Sequence, residues 1–148
     1  LRAGHRAHAN GFGSVLFLDA KEKKYIDEAG PANFFGIKDN TYITPKSKSI
    51  LHSITNMSLE QIARDLGLKV ERRPVPFEEL ETFDECGACG TAAIISPIGK
   101  IYDRSTDTTF EYGSEAGPIS TKLYETLRGI QEGTVEDIHG WTTIIDGI

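Results

Sequence analysis

Short apolar runs dominate the first third of the chain. Residues 14–19 form a nearly continuous apolar segment, which predicts a buried strand. Residues 34–38 predict a second strand, residues 39–40 (Asp-Asn) have the composition of a hairpin turn, and residues 41–44 predict an antiparallel return that ends before Pro45. This part of the chain is therefore expected to form a meander.

Two later segments have the apolar spacing of amphipathic helices. The first is expected to begin at Met57, where Ser58 opens a capping-box pattern, and to end at Gly67. The second is expected to begin at Pro118 and to end near Gly133. Runs of strands separated by isolated helices indicate an α+β fold rather than a regular doubly wound sheet.

Four further segments have weaker patterns. Residues 69–75 alternate weakly and reach prolines, which predicts an exposed or edge strand. Residues 94–102 predict two strands around a Pro-Ile-Gly turn, whereas residues 103–116 are polar without a period and predict a surface loop. The tail at residues 140–145 is expected to be a terminal strand or an extended segment.

The composition indicates one domain and disfavours several classes of protein. The chain has 148 residues, of which 39% are hydrophobic, enough to bury a single core. Its net charge of −6 and its scattered basic residues give no electrostatic footprint for nucleic acid. Its apolar runs fall far short of the ~20 residues that cross a bilayer, and two cysteines cannot build a disulfide framework. We therefore expect a cytoplasmic protein without nucleic-acid or membrane partners.

The beginning of the chain is unusual. It starts with Leu-Arg-Ala-Gly-His-Arg rather than with Met, in a composition compatible with a helix that ends at the Asn-Gly of residues 10–11. Natural proteins rarely begin inside a helix. The expectation is that this chain is the back part of a longer polypeptide.

Two short segments have the properties of anion sites. Residues 53–55 (Ser-Ile-Thr) place hydroxyl groups and free backbone N–H groups at the start of a helix, where phosphate binds readily. A plainer interpretation is that Ser53 or Thr55 is only an N-cap, because every helix needs one. Residues 87–92 carry small side chains that let a ligand approach the backbone, although a tight strand crossing would use the same composition.

Taken in order, these segments resemble a known family. Residues 28–33 (Glu-Ala-Gly-Pro-Ala-Asn), 50–55 (Ile-Leu-His-Ser-Ile-Thr) and 90–98 (Gly-Thr-Ala-Ala-Ile-Ile-Ser-Pro-Ile) resemble the class IV pyridoxal-phosphate-dependent aminotransferases, and most of all the branched-chain amino-acid aminotransferases. The resemblance covers nearly the whole chain. It implies an α+β fold in which residues 1–148 form one domain, the C-terminal pseudo-barrel domain of the D-amino-acid aminotransferase-like (fold type IV) enzymes.

The resemblance implies roles for five residues. Glu28 matches the acidic residue that pairs with the pyridine nitrogen of pyridoxal 5′-phosphate and keeps that nitrogen protonated. Ile54 and Thr55 match the pair whose backbone amide and hydroxyl hold the cofactor phosphate. Thr91 matches a further phosphate-contacting threonine that also borders the substrate, and Ala92 matches a backbone N–H beside the substrate carboxylate.

The reaction implied by the resemblance is transfer of the amino group of leucine, isoleucine or valine to 2-oxoglutarate, with the full-length enzyme working as a homodimer. The family's Schiff-base lysine lies ahead of the helix with which this chain begins. No lysine of the chain, the first being Lys21, matches it. No catalytic residue is therefore assigned within the chain, which by itself is expected to be inactive.

Some departures from the family pattern leave alternatives open. Pro31 replaces a threonine that faces the substrate in relatives, and Cys89 replaces a serine or threonine. D-amino-acid aminotransferases and aminodeoxychorismate lyases share the implied architecture and cofactor, although the Ile-Ser-Pro-Ile run favours the branched-chain group. Cys86 and Cys89 also form a Cys-x-x-Cys motif, which in other settings is redox-active or binds metal. The histidines show no zinc-ligand spacing, so no metal site is expected.

Overall fold

The structure, a computed structural model, describes residues 16–18, 24–30, 32–46, 53–90, 94–113 and 115–142. In chain order its elements are β1 (Leu16–Leu18), β2 (Ile26–Ala29), β3 (Ala32–Lys38), β4 (Thr41–Pro45), α1 (Ile54–Asp65), β5 (Lys69–Arg73), a 3-10 helix (Phe77–Thr82), β6 (Glu85–Cys89), β7 (Ile95–Pro97), β8 (Lys100–Asp103), β9 (Thr108–Glu111) and α2 (Pro118–Glu132).

Strand β3 is the centre of the sheet that seven strands form within the described residues. One edge of β3 pairs with β6 from Asn33 to Ile37, and the other edge is shared by the end of β2 and the start of β4, all antiparallel. The β3–β4 connection is the predicted hairpin, and both Asp39 (φ 49°) and Asn40 (φ 55°) have the positive φ of a type I′ turn. The meander predicted for this region is confirmed.

Helix α1 connects β4 to the parallel strand β5, which is the edge strand predicted from residues 69–75. The helix ends as expected before Gly67, whose φ is +88°. It begins three residues earlier than predicted, because Ser53 rather than Ser58 is the N-cap and accepts a hydrogen bond from the Asn56 N–H at 3.1 Å. The apolar pattern misses this first turn since Ile54, its first residue, is 83% exposed.

Alternation along the strands sorts the buried side chains onto two faces of the sheet. We define the helix face by Phe35, Ile37, Tyr42 and Cys89, which pack with α1 and α2. We define the far face by Phe34, Ile43 and Cys86, which pack with Val75, Leu80 and Phe83. Successive residues such as Phe34 and Phe35 lie on opposite faces because the side chains of a strand alternate with a period of two.

Strand β2 is not among the strands predicted from the sequence. In its pairing with β1, Phe17 lies opposite Glu28 and Leu18 lies opposite Ile26, so Asp27 is an additional residue in a β-bulge. Two adjacent acidic residues and a bulge interrupt the period-two pattern by which a strand is recognised in a sequence.

The two strands predicted around the Pro-Ile-Gly turn exist, but they do not pair with each other. β7 pairs with β6, and β8 pairs with β9 in a separate two-stranded sheet. The prediction that residues 103–116 form a loop is wrong over β9. Its polar residues leave it largely exposed, with only Phe110 half-buried, so no apolar alternation marks it in the sequence.

Helix α2 is confirmed, with Pro118 in its first turn and the left-handed Gly133 (φ +80°) at its end. Its N-terminus is occupied by a carboxylate of this chain, because Glu85 accepts hydrogen bonds from the N–H groups of Ile119 (3.2 Å) and Ser120 (2.8 Å). No helix within the described residues is long and apolar enough to cross a membrane.

Of the two alternatives predicted for residues 140–145, the terminal strand is wrong where the structure describes the segment, at residues 140–142. Trp141 and Thr142 belong to no strand, and their N–H groups donate to the Asp137 carboxylate at 2.9 and 2.7 Å. The remaining residues of that prediction, from 143 onward, lie outside the described residues.

Candidate functional site

Glu28 lies on the helix face at the end of β2. Ile26 and Ala29 both pack into the core of the far face, because the bulge at Asp27 shifts the alternation between them. Glu28 is therefore turned to the opposite face, directly across from Asn33 in the first pairs of β3. Its side chain is half-buried.

Asn33 extends this row to β6, since it also pairs with Cys89 on its other edge. Glu28, Asn33 and Cys89 are thus side by side on three neighbouring strands, and Asn33 and Cys89 are buried. Glu28 is the carboxylate of this row, and its half-buried position gives an acceptor for a positively charged group that is partly shielded from water.

The N-terminus of α1 supplies the second set of groups. Ile54 and Thr55 are the first two helical residues after the N-cap Ser53, so their N–H groups have no acceptor within the helix. These groups, together with the positive end of the helix dipole, favour a bound anion. The half-buried Thr55 adds a hydroxyl group to the same turn. Ser53 is the N-cap that the plainer interpretation predicted, and its hydroxyl leaves the first two N–H groups of the helix for another acceptor.

Three buried polar side chains tie this helix terminus to the sheet. The Tyr42 hydroxyl donates to Asn56 Oδ1 at 2.6 Å, Asn56 Nδ2 donates to Thr44 Oγ1 at 3.1 Å, and Thr44 Oγ1 donates to the Phe34 carbonyl at 2.8 Å. Burial raises the pKa of the Tyr42 phenol well above its usual value, so the phenol remains a neutral donor. The first turn of α1 is therefore held against the ends of β3 and β4 that lie nearest Asn33.

Two of the five residues assigned from the sequence, Thr91 and Ala92, lie outside the described residues. The residue before Thr91 is described: Gly90 follows the last residue of β6, and its N–H donates to the Ile94 carbonyl at 3.4 Å. Among the described residues, a Cβ atom on Gly90 would meet only the Cβ of Ala32, at 3.9 Å, so these residues leave open space beside Gly90.

Comparison with known proteins identifies the family. The family model for amino-transferase class IV matches residues 1–101. This chain belongs to the class IV aminotransferases. The resemblance inferred from residues 28–33, 50–55 and 90–98 is thereby confirmed.

Individual class IV aminotransferases match over almost the whole chain. A branched-chain-amino-acid aminotransferase of Haemophilus influenzae is 45% identical over 137 residues, which cover 91% of this chain and 40% of that protein. Among solved structures, the branched-chain amino acid aminotransferase from Escherichia coli has a TM-score of 0.83 at 29% identity and covers 97% of this chain. That from Thermobaculum terrenum, in its PLP-form, has a TM-score of 0.77 at 35% identity and covers 88%.

These matches have two consequences. The predicted α+β, fold type IV architecture is confirmed by the similarity to the two solved enzymes. The chain spans less than half the length of the relatives it matches, between 40% and 47% of the three described above.

The Cys-x-x-Cys interpretation is contradicted by the structure of this class IV chain. Cys86 and Cys89 are free thiols three residues apart in one strand and on opposite faces, so their Cα atoms are ~10 Å apart. A disulfide requires a Cα separation below ~7 Å. Burial raises the pKa of both thiols to about 12, which removes the thiolate that redox chemistry needs. No cluster of potential metal ligands occurs in the parts of the chain that the structure describes.

Three residues that shape the site were not predicted from the sequence: Tyr42, Thr44 and Asn56. In the sequence, Tyr42 and Thr44 are ordinary strand residues before a proline, and Asn56 follows the phosphate-type motif. One signal was present, because an asparagine near a helix start often bonds locally. Its partners on β4 depend on how the helix packs, which no local pattern shows.

Proposed function

We propose that this chain is the C-terminal part of a branched-chain amino-acid aminotransferase, which transfers the amino group of leucine, isoleucine or valine to 2-oxoglutarate with pyridoxal 5′-phosphate. The observation that carries the proposal is that the Glu28 carboxylate and the N-terminus of α1 share the helix face of one sheet. A cofactor with a cationic ring and a phosphate needs both an anionic acceptor, such as Glu28, and an anion-binding helix terminus, such as that of α1. The names of the similar proteins supply the substrate class.

The donor set fits this cofactor. The N–H groups of Ile54 and Thr55, with the Thr55 hydroxyl, are donors at a positive helix terminus and would hold the phosphate. Glu28 is an anionic acceptor and would hold the ring nitrogen. Asn33, which lies between Glu28 and Cys89 in the same row, closes the floor of the site with a short, buried side chain.

Glu28 has the central electrostatic role in this proposal. When bound, pyridoxal 5′-phosphate supplies a ring that withdraws electrons from the α-carbon of the amino acid, provided that its nitrogen is protonated. The half-buried Glu28 carboxylate would hold a proton on that nitrogen, because water would only partly screen the ion pair. Replacing the carboxylate by an amide would remove the anionic acceptor and keep the side-chain shape.

Thr91 and Ala92 complete the site in this proposal. Thr91 would add a hydroxyl to the phosphate anchor, and the Ala92 N–H would bind the carboxylate of the amino acid or 2-oxo acid. Both follow Gly90 directly, and their small side chains would leave the backbone accessible to the substrate.

The chain contributes no catalytic lysine in this proposal. That lysine would come from a preceding part of the enzyme, and the complete enzyme would act as a homodimer. The 148 residues alone should therefore form half of a site that binds the cofactor weakly and does not turn over substrate.

The proposal is tested by comparing the complete enzyme with this chain alone. Each is assayed with 2-oxoglutarate and, separately, leucine, isoleucine, valine and D-alanine. We expect turnover of the three branched-chain L-amino acids by the complete enzyme only. Preference for D-alanine would indicate a D-amino-acid aminotransferase instead. Turnover by the isolated chain, with the cofactor trapped by borohydride on one of its lysines, would contradict the division of the site.

A further inference from the structure

We propose that Tyr42 and Asn56 are positioning residues, which set the orientation of the phosphate-binding N–H groups at the start of α1. The inference rests on the proposed function, because it concerns the phosphate site that Ile54 and Thr55 would form. Both residues belong to a buried set of hydrogen-bonded side chains that joins α1 to β4.

Asn56 determines both the position and the rotation of the first helical turn. It is the third helical residue and is 3% exposed. Both ends of its side-chain amide are hydrogen-bonded, because Oδ1 accepts from the Tyr42 hydroxyl and Nδ2 donates to Thr44 Oγ1. Ile54 lies two residues earlier, about 200° around the helix axis, and is therefore turned away from the sheet and 83% exposed. With Asn56 bound in this way, the helix cannot rotate or slide without breaking two buried hydrogen bonds.

Tyr42 is itself held in place by the core of the helix face. Its ring stacks on Phe35 with a centroid distance of 5.0 Å and an interplanar angle of 14°, so the hydroxyl has a fixed location. Tyr42 also belongs to the buried cluster that contains Cys89, the last residue of β6. The packing of β3, β4 and β6 thus fixes the hydroxyl that binds Asn56.

The far face offers a matched tyrosine without this connection. Tyr112 is half-buried and donates its hydroxyl to the Leu80 carbonyl at 2.5 Å. Loss of either hydroxyl removes one tertiary hydrogen bond and should cost stability. Only loss of the Tyr42 hydroxyl should disturb the N-terminus of α1. Comparing the two variants therefore separates an effect on the orientation of α1 from an effect on stability.

The experiment compares Tyr42→Phe with Tyr112→Phe in the complete enzyme, prepared without cofactor. The measured quantity is the ratio of the dissociation constants of pyridoxal and pyridoxal 5′-phosphate, obtained from the absorbance of the bound ring. Pyridoxal lacks the phosphate, so the ratio reports the phosphate anchor alone. We expect Tyr42→Phe to lower the ratio roughly fivefold, the effect of one buried hydrogen bond. Tyr112→Phe should leave the ratio unchanged while still lowering Tm.

A second pair of variants covers the case in which Tyr42→Phe fails to fold. Thr44→Val removes the acceptor of Asn56 Nδ2 and should lower the ratio, whereas Thr44→Ser keeps the hydroxyl and should restore it. If Thr55→Ala lowers the ratio but Tyr42→Phe and Thr44→Val do not, the positioning role is wrong and the proposed function stands. If Thr55→Ala also has no effect, α1 does not bind the phosphate, and both proposals are overturned.

Discussion

The two faces of the central sheet contain similar apolar residues but bury different polar groups. On the far face, Phe34, Ile43 and Phe83 form an aliphatic and aromatic core, and the Tyr112 hydroxyl is satisfied by the nearby Leu80 carbonyl. On the helix face, a connected series of polar side chains passes from Tyr42 through Asn56 to Thr44.

This difference indicates where the chain uses structure for function. A buried polar group is costly unless it is hydrogen-bonded, and even then it contributes less than an apolar side chain of similar size. Three such groups around one helix terminus therefore stabilise the fold less than apolar side chains would. Their hydrogen bonds do fix the orientation of the α1 N-terminus, a role that the polar groups of the far face do not have. Substitutions on the helix face should therefore affect cofactor binding, whereas matched substitutions on the far face should affect stability alone.

The largest effect is expected for Glu28→Gln in the complete enzyme. The amide replaces an anionic acceptor, so the free energy of a charge-assisted interaction of about 1.5–3 kcal/mol is lost and kcat should fall roughly 10- to 100-fold. Retention of pyridoxal 5′-phosphate should change much less, because the phosphate anchor is intact. Glu111→Gln, at an exposed position on β9, is the control and should keep full activity. An unchanged kcat in Glu28→Gln would refute the assigned role.

Two glycines test the faces directly. A Cβ atom on Gly87 would meet the Phe35 ring at 2.5 Å on the helix face, and one on Gly36 would meet the Phe83 ring at 2.8 Å on the far face. Each change to alanine forces an aromatic ring to move and should lower the free energy of unfolding by about 1–3 kcal/mol in urea titrations.

The glycine variants should differ in cofactor binding. Phe35 stacks on Tyr42, so Gly87→Ala should also weaken binding of pyridoxal 5′-phosphate, whereas Gly36→Ala should not. Equal affinities of the two variants for pyridoxal 5′-phosphate would show that displacement of the Phe35 ring does not affect the phosphate site.

A smaller effect, dependent on pH, is expected for Glu79→Gln. Hydrogen bonds from Arg73 (2.9 and 2.6 Å), followed by the contact with Lys38 at 3.0 Å, lower the pKa of Glu79 below its usual 4.5. A lowered native pKa stabilises the fold above the unfolded value of 4.5 and loses that contribution as the pH falls through the native value. The variant should therefore be less stable at pH 7 by no more than about 1 kcal/mol.

The pH dependence provides the check on the Glu79 prediction. The difference in unfolding free energy between wild type and Glu79→Gln should shrink as the pH is lowered below 4.5. A difference that stays constant from pH 7 to pH 3 would show that the ion pair with Arg73 does not contribute to stability.

The smallest difference is expected for the cysteines, which should behave identically although they lie on different faces. Both thiols are buried and have a pKa of about 12, so few thiolates exist at pH 8. Labelling by a disulfide reagent should occur only as fast as the protein unfolds. Rapid labelling of Cys89 alone would show that the helix face opens locally near Gly90.

The sequence by itself determined the elements whose signals are local. The Asp39-Asn40 turn, the Gly67 and Gly133 helix ends and the start of α2 at Pro118 follow from backbone preferences of one or two residues. The family also followed from the sequence, because three motifs occur in the order that class IV aminotransferases require. Glu28 and the α1 N-terminus were proposed as site residues on that basis.

The tertiary structure decided what depends on distant partners. The register of β2 against β1 and β3 turns Glu28 to the helix face, and the pairing of β6 with β3 brings Cys89 beside Asn33. Tyr42 and Asn56 meet only because α1 packs on β4. Strand pairing and helix packing depend on side chains far apart in the chain, whereas hydrophobic periodicity reports only which side of an element is buried. The sequence could therefore supply candidate residues for the site, and only the fold could decide that Glu28 and the N-terminus of α1 share one face of the sheet.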